Sequence, residues 1–470
     1  MAEESHRRWL WTIARSGAAA LLLGGLVAGA GAGRAMARQK VDAPKPNILF
    51  IMSDDHRWDG LHAAGNPHVI TPNLDRLAAE GLHFTQATMH VPQCSPARAQ
   101  LLTGLPPHHT GWYSNQSQRP EARSPDSFDR FPRVPELLRR AGYRTVLVGK
   151  WHLPHQPWDI GFSDVRTWLP GGGGPYRNIP LAQGRSREVK PIEGFTQEAF
   201  ADSAIGFLES DDARTQPFLL WLSFTAPHSP YQPNPPRIAK QYEGKRSEDL
   251  RPPTFKGEGR TRDWLHYYEA ITLLDEQIGR VLHTLQARGL SDRTMIVFSG
   301  DNGFMMGSRD WDGKVLPYEG SIRVPLIIRA PGVAKVKGPT DAAASSLDLP
   351  PTFARLAGVP PPAEWAGRDL SPVLAGTRNH GIDYAVSEFA DTTSKEFGRY
   401  AYRLARTPSH KLILWHDPAR PDELYDLRQD PHEATNLAGQ PRAQPTEARL
   451  RRTLDDWMKK TEDPFRTTRR

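Results

Sequence analysis

The chain has 470 residues, 38% hydrophobic and 24% charged, which excludes global disorder and leaves ample length for one large α/β domain with a smaller companion. Its formal charge of +7 comes from 60 basic and 53 acidic side chains scattered along the sequence, with no basic helix carrying interleaved aromatics, so a nucleic-acid partner is not expected. The single cysteine, Cys94, excludes an internal disulfide, and the 43 prolines and 39 glycines favour elaborate loops over a helical bundle.

Residues 1–37 read as an export signal. A basic stretch holding Arg7, Arg8 and Arg15 precedes a weakly apolar run, and Ala35-Met36-Ala37 is a small-x-small cleavage site. Arg7-Arg8 followed by Trp9-Leu10 resembles a twin-arginine leader. The apolar run is too short and too rich in glycine for a stable membrane span. The expectation is an exported protein, periplasmic or secreted.

Beyond the leader, strands and helices alternate. Residues 48–52 form a short apolar run after Pro46, the mark of a buried strand. Thr71 as N-cap, Pro72 in the first turn and Gly81 as the stop frame a helix between them. A helix, a glycine and a strand follow over 134–148. Two more helix-to-strand units span 196–224 and 262–300, then a strand at 323–332 and a helix at 347–358. Almost wholly apolar strands alternating with helices predict an α/β fold: a large mixed, mostly parallel sheet covered by helices on both faces, over residues 38–375. Residues 376–470 read as a smaller C-terminal α+β subdomain with a short antiparallel sheet and a charged final helix. Three stretches, 112–133, 164–194 with Gly171 to Gly174, and 229–260, read as long irregular loops; binding or lid elements and plain surface insertions both account for them.

Ligands of an open α/β sheet bind beyond the carboxyl ends of its strands. Four predicted strands end in chemically capable residues: Asp54-Asp55, Lys150-Trp151-His152, His228, and Asp301-Asn302. Each has an ordinary explanation as a turn or solvated loop residue, but four together point to one site. Asp54, Asp55, Asp301 and the Asn302 carbonyl offer oxygen-only ligation, which suits Ca2+ or Mg2+ rather than zinc. Three carboxylates so placed would repel one another without a cation. Arg98, Lys150, Lys314, His152 and His228 add a cationic pocket for a dense oxyanion, with sulfate and phosphate both fitting.

The run Cys94-Ser95-Pro96-Ala97-Arg98-Ala99-Gln100-Leu101-Leu102-Thr103-Gly104 matches C-x-P-x-R followed by x-x-L-x-T-G, and here the chain resembles the type I sulfatases. The segments NILFIMSDD, TPNLDRLAAEG, GKWH, APHSP, SGDNG and YEGSIRVPLII extend the likeness, in the family's order, from about Pro46 to the ELYDLRQDPHEATNL segment. The resemblance implies that a formylglycine-generating enzyme converts Cys94 to formylglycine, with Pro96 and Arg98 read during conversion. It implies that Asp54, Asp55, Asp301, Asn302 and the residue derived from Cys94 bind Ca2+. Arg98 and Lys150 would hold the nucleophile's hydroxyls, His152 would assist breakdown of the sulfated intermediate, and His228 and Lys314 would contact the sulfate and leaving-group oxygen. The implied substrate is a small-molecule or saccharide sulfate ester. A phosphonate or phosphate monoester hydrolase with the same site is the alternative. The run Phe304 to Gly313 departs from the family's usual Gly-Glu-His, which puts the register of Lys314 in question and allows Arg309 into the pocket. His56, Arg57, His108, His109, Trp112 and Asn115 either line a substrate subsite or pack locally. Asn115-Gln116-Ser117 also fits a glycosylation sequon.

Overall fold

The computed structural model describes residues 45–115, 130–255, 263–377, 383–390 and 400–465. The expected leader, most of the 112–133 stretch and the end of the 229–260 stretch therefore lie outside the described residues, as does the rest of the sequon. From Lys45 onward the described residues form one compact unit.

Its strands, in chain order, are β1 (Asn47–Ser53), β2 (Leu82–Phe84), β3 (Arg144–Lys150), β4 (Asp164–Leu169), β5 (Pro180–Gln183), β6 (Val189–Pro191), β7 (Phe218–Ser223), β8 (Thr294–Gly300), β9 (Leu326–Arg329) and β10 (Gly338–Thr340). They form one ten-stranded sheet in the order β10-β2-β9-β8-β1-β7-β3-β4-β5-β6. The central run β8-β1-β7-β3-β4 is parallel, β9 and β5 flank it antiparallel, and β6 pairs antiparallel with β5. The expected mixed, mostly parallel sheet is thus present.

Alternation along the strands decides which layer each residue joins. Ile48, Phe50 and Met52 pack with Ala99, Leu101, Leu138 and Phe353 from helices on one face. Leu49 and Ile51 pack with Leu74, Phe200, Ile278 and Val281 from helices on the other. Those second-face helices are Pro72–Glu80, Thr196–Leu208 and Trp264–Ala287. Thr71 does occupy the N-cap of the first of them, yet its hydroxyl caps nothing; it donates to Asp75 Oδ1 at 3.0 Å and accepts from the His62 amide.

The expectation of an irregular stretch over 164–194 is corrected: it contains β4, β5 and β6, which extend the sheet to its far edge. Their shortness, prolines and part-exposed residues hid the strand pattern. Both edge strands carry proline, Pro339 in β10 and Pro191 in β6, and exposed β6 adds Lys190. In the 229–260 stretch the described residues include a short helix, Pro236–Ala239, and 3-10 turns.

A separate antiparallel sheet holds β11 (Ala385–Phe389), β12 (Tyr402–Arg406), β13 (His410–Trp415) and β14 (Glu423–Asp426) in sequential order. One face, with Tyr402, Leu404, Ile413 and Trp415, packs on Met305, Val315 and Ile322 from beyond β8. The other, with Ala405, Leu412 and Leu424, packs on Leu450, Leu454 and Trp457 of the final helix, Gln444–Lys460.

Candidate active site

Four neighbouring parallel strands, β8-β1-β7-β3, point the same way, so their carboxyl ends open on one place. Asp54 and Asp55 follow β1, Asp301 and Asn302 follow β8, Lys150 ends β3 with His152 two residues on, and His228 sits in a turn five residues after β7. Delivery of Lys150 depends on a bulge. The β3–β4 register shifts between Leu147 and Gly149, and Gly149 has φ +100°. A Cβ there would lie 1.9 Å from the Ser223 carbonyl oxygen of β7, so only glycine fits. Asp55 and His152 also adopt positive φ, 56° and 58°, conformations that non-glycine residues keep where the surroundings over-determine them.

Cys94 is the first residue of the buried helix Cys94–Thr103, with Gln93 as N-cap and Pro96 in the first turn. Ser95 fixes this end twice, its amide donating to Asn115 Oδ1 at 2.9 Å and its hydroxyl to the His152 carbonyl at 2.8 Å. The Cys94 Sγ lies 3.5 Å from Asp54 Oδ1 and accepts from Lys314 Nζ at 2.8 Å. Lys314 also reaches Asp55 Oδ1 at 2.5 Å. It arrives there because the loop after β8 folds back, the Met305 amide bonding the Gly313 carbonyl and the Val315 amide the Pro92 carbonyl. Arg309 leaves the pocket: its guanidinium stacks 4.0 Å over Tyr318 and donates to the Glu433 carbonyl.

Arg98 is buried and fully engaged within the site. It donates to Asp301 Oδ2 through Nε at 3.1 Å and Nη2 at 2.8 Å, and through Nη1 to the Lys150 carbonyl and Ser223 Oγ. Lys150 pairs with Asp54 in full burial. Asn302 donates to Asp55 Oδ1 at 2.6 Å and to the Gly303 carbonyl. The other oxygens of this group, Asp301 Oδ1 and Asn302 Oδ1, are buried without a hydrogen-bond partner. Asp54, Asp55, Cys94 and His228 each place a ligand atom within 4.8 Å of the others. Unpaired buried oxygens among three carboxylates are a hard donor set, and their chemistry fits a divalent cation.

Electrostatics grade the pocket from floor to mouth. Burial alone would raise Asp54, but Lys150, His228, Lys314 and Arg98 outweigh it and hold it well below the usual carboxylate range. Burial and the Asp54 charge push Asp301 upward, although Arg98, Lys150 and Lys314 pull the other way. Burial, with Asp54, pushes the Cys94 thiol up to about 12, which leaves it a poor thiolate nucleophile. Burial, then Lys150 and Arg98, push His152 down to about 2, so its ring is neutral. At the mouth, the His228 side chain is 24% and the Lys314 side chain 14% exposed. His228 Nε2 stands 3.7 Å from Asp55 Oδ2.

One contributor escaped the strand-end reading. Gly172 and Gly173, within the 171–174 run, lie against the two histidines: a Cβ on Gly172 would be 2.6 Å from His152 Nε2, and one on Gly173 would be 3.1 Å from His228 Nδ1. The glycine run was visible in the sequence, but its target was not. Local packing accounts for most of the subsite candidates. His56 bonds Ser53 and Gly60, Arg57 pairs with Asp59, His108 with Glu388, and Trp112 is buried in the core. His109 bonds the Thr461 carbonyl, and Asn115 holds Ser95.

The Sulfatase family profile matches residues 46–359. The chain belongs to the sulfatase family. A second profile, N-sulphoglucosamine sulphohydrolase, C-terminal, matches residues 307–460. The ulvan-active sulfatase of Formosa agariphila is 30% identical over 442 residues, covering 91% of this chain and 84% of that one. A protein solved in complex with its substrate D-glucosamine-2-N,6-O-disulfate superposes with a TM-score of 0.75 at 26% identity, over 90% of this chain and 99% of the other. The phosphonate monoester hydrolase of Agrobacterium radiobacter superposes with a TM-score of 0.66 at 25% identity, over 89% and 96%. Within this sulfatase, among the described residues, no helix is long and apolar enough to cross a membrane.

Proposed function

We propose that this sulfatase cleaves a sulfate ester from a sulfated carbohydrate, using formylglycine made from Cys94 and a Ca2+ ion held by Asp54, Asp55, Asp301 and Asn302. The observation that carries the reading is the surroundings of Cys94 Sγ, which stands in for the oxygen of the converted residue. It lies against Lys314 Nζ and Asp54, within 4.8 Å of a ligand atom from each of Asp54, Asp55 and His228. Hydrated formylglycine would supply a hydroxyl nucleophile, and the cation would lower its pKa and polarise the sulfate. Everything else falls to this chain's side chains. Arg98 orients Asp301, and Lys150 balances Asp54. Lys314 holds negative charge at residue 94 and at the arriving sulfate. His228, part exposed at the mouth, is placed to protonate the departing sugar oxygen. Neutral His152 is placed to accept a proton near residue 94, and an anionic substrate beside it raises its basicity.

Carbohydrate is favoured by the sulfated glucosamine bound to the structural neighbour and by the ulvan-active relative. Maturation by a formylglycine-generating enzyme and export through residues 1–37 belong to the same proposal; the sequence motifs support both. The phosphonate hydrolase likeness keeps a second reading in play. Peptide mass measurement across Cys94, with turnover of sulfated glucosamines and of nitrophenyl sulfate and phosphonate esters, tests them together. Loss of sulfur at residue 94 with sulfate ester turnover is expected. An unmodified thiol in active enzyme overturns the nucleophile, and faster phosphonate turnover overturns the substrate class.

A further inference from the structure

Asp55 turns the chain sharply after β1, with φ 56°. Lys314 Nζ and Asn302 Nδ2 both donate to its Oδ1, at 2.5 and 2.6 Å, and its carboxylate is one of the groups that could ligate a cation. A residue with a Cβ keeps such a backbone only where its surroundings fix it. Tyr267 supplies that hold.

Tyr267 stands in the first turn of the helix Trp264–Ala287 and is fully buried. Its ring packs edge-on against Tyr231 and Trp264, with centroids 5.4 and 6.0 Å apart, so packing sets the direction of the hydroxyl. That hydroxyl donates to the Asp55 carbonyl at 2.8 Å and accepts from the Arg57 amide at 3.0 Å. One oxygen therefore clasps both ends of the turn at 55–57. Losing it would strip a partner from two buried backbone groups. The helix is a fixed base for this grip: Asp275, two turns on, accepts from the Leu74 amide at 2.7 Å and from Asn73 Nδ2 at 2.9 Å.

Arg57 carries the restraint onward. Its Nε and Nη2 bond Asp59 at 2.8 Å each, and its Nη1 reaches the Phe304 and Met305 carbonyls at 3.0 and 3.1 Å. The Met305 amide in turn holds the Gly313 carbonyl at 2.7 Å, one residue before Lys314. Both members of the Asp55–Lys314 pair thus take their place from the backbone that Tyr267 clasps.

We infer that Tyr267 is a positioning residue, whose hydroxyl fixes the turn at 55–57 and so aims the Asp55 carboxylate at the cation and at Lys314. The inference rests on Asp55 as a ligand of the proposed Ca2+.

Tyr267→Phe keeps the ring and removes only the hydroxyl. Tyr268→Phe is its control: Tyr268 is as buried, packs on the same Trp264, and its hydroxyl accepts instead from Asn66 Nδ2 at 2.9 Å. Ca2+ binding to the chelator-stripped mature enzyme is measured by titration calorimetry. Tyr267→Phe should raise the Kd for Ca2+ roughly tenfold. Tyr268→Phe should leave it at the wild-type value, while both variants lower the melting temperature of the metal-free protein. An equal rise in the two variants would show general loosening, and an unchanged Kd in Tyr267→Phe would show that Asp55 needs no such hold. Either result overturns the inference and leaves the Ca2+ site standing. A wild type that binds no Ca2+ overturns the cation reading and this inference with it.

Discussion

A methyl group at Gly172 would press on His152 at 2.6 Å, closer than nonbonded atoms tolerate. Gly172→Ala should therefore shift that ring while leaving the fold intact, since the glycine run is a surface turn. A displacement of this size at a reacting group costs about 100-fold in kcat. Wild-type activity with an unchanged melting temperature would remove His152 from the chemistry. The two unpartnered oxygens, Asp301 Oδ1 and Asn302 Oδ1, carry a second prediction. Chelator treatment should lower the melting temperature, and Ca2+ at a hundred times its Kd should restore about 2.7 kcal/mol. Mg2+, which demands a stricter octahedron, should restore less. No response to either ion would empty the proposed cation site.

At the scale of elements, the strand ends were legible because chain order, apolar runs and the parallel rule together fix which end of each strand faces the ligand. Asp54, Lys150, His228 and Asp301 converge for that reason. The short strands β2, β5, β6 and β10 were not legible; three or four residues hold too little alternation to separate strand from loop. Nor was the use of Arg98, whose grip on Asp301 depends on two elements meeting in space. Long-range clusters hide in the same way, as at His108. Its Nδ1 faces Glu388 at 3.2 Å and its Nε2 the Thr461 carbonyl at 3.0 Å, so the imidazolium alone satisfies both. Burial opposes that charge, but Glu388 and then Asp463 overcome it and raise His108 above its ordinary value. A raised folded-state value means that this stability is fully present below the unfolded pKa of about 6.5 and fades as pH climbs through the folded one. His108→Asn should thus lower the melting temperature more at pH 5.5 than at pH 9. An equal loss at both would show that the ring acts by packing alone. Arg403 lies 3.0 Å from Glu388 and 2.5 Å from Asp463, so this cluster already carries its cation and reads as a clasp between β12 and the segment after the final helix.

For the molecule as a whole, two sheets share one apolar layer: the face of Tyr402 and Trp415 closes over Met305 and Val315, next to the loop that delivers Lys314. Stability of the smaller sheet and placement of the catalytic lysine are therefore linked. The rims of the larger sheet matter differently. Among the described residues, β10 and β6 each leave a row of backbone groups with no neighbouring strand, and each is interrupted by proline, Pro339 and Pro191. Proline removes a donor from such a row, and Lys190 adds a charge that a docking strand would have to bury. Pro191→Val should leave turnover unchanged but add slow self-association, seen as growing species in light scattering at high concentration. A variant that stays monodisperse would show that shortness alone guards this rim. Ten strands side by side make a long template, and keeping neighbouring copies apart depends on that template refusing an eleventh strand.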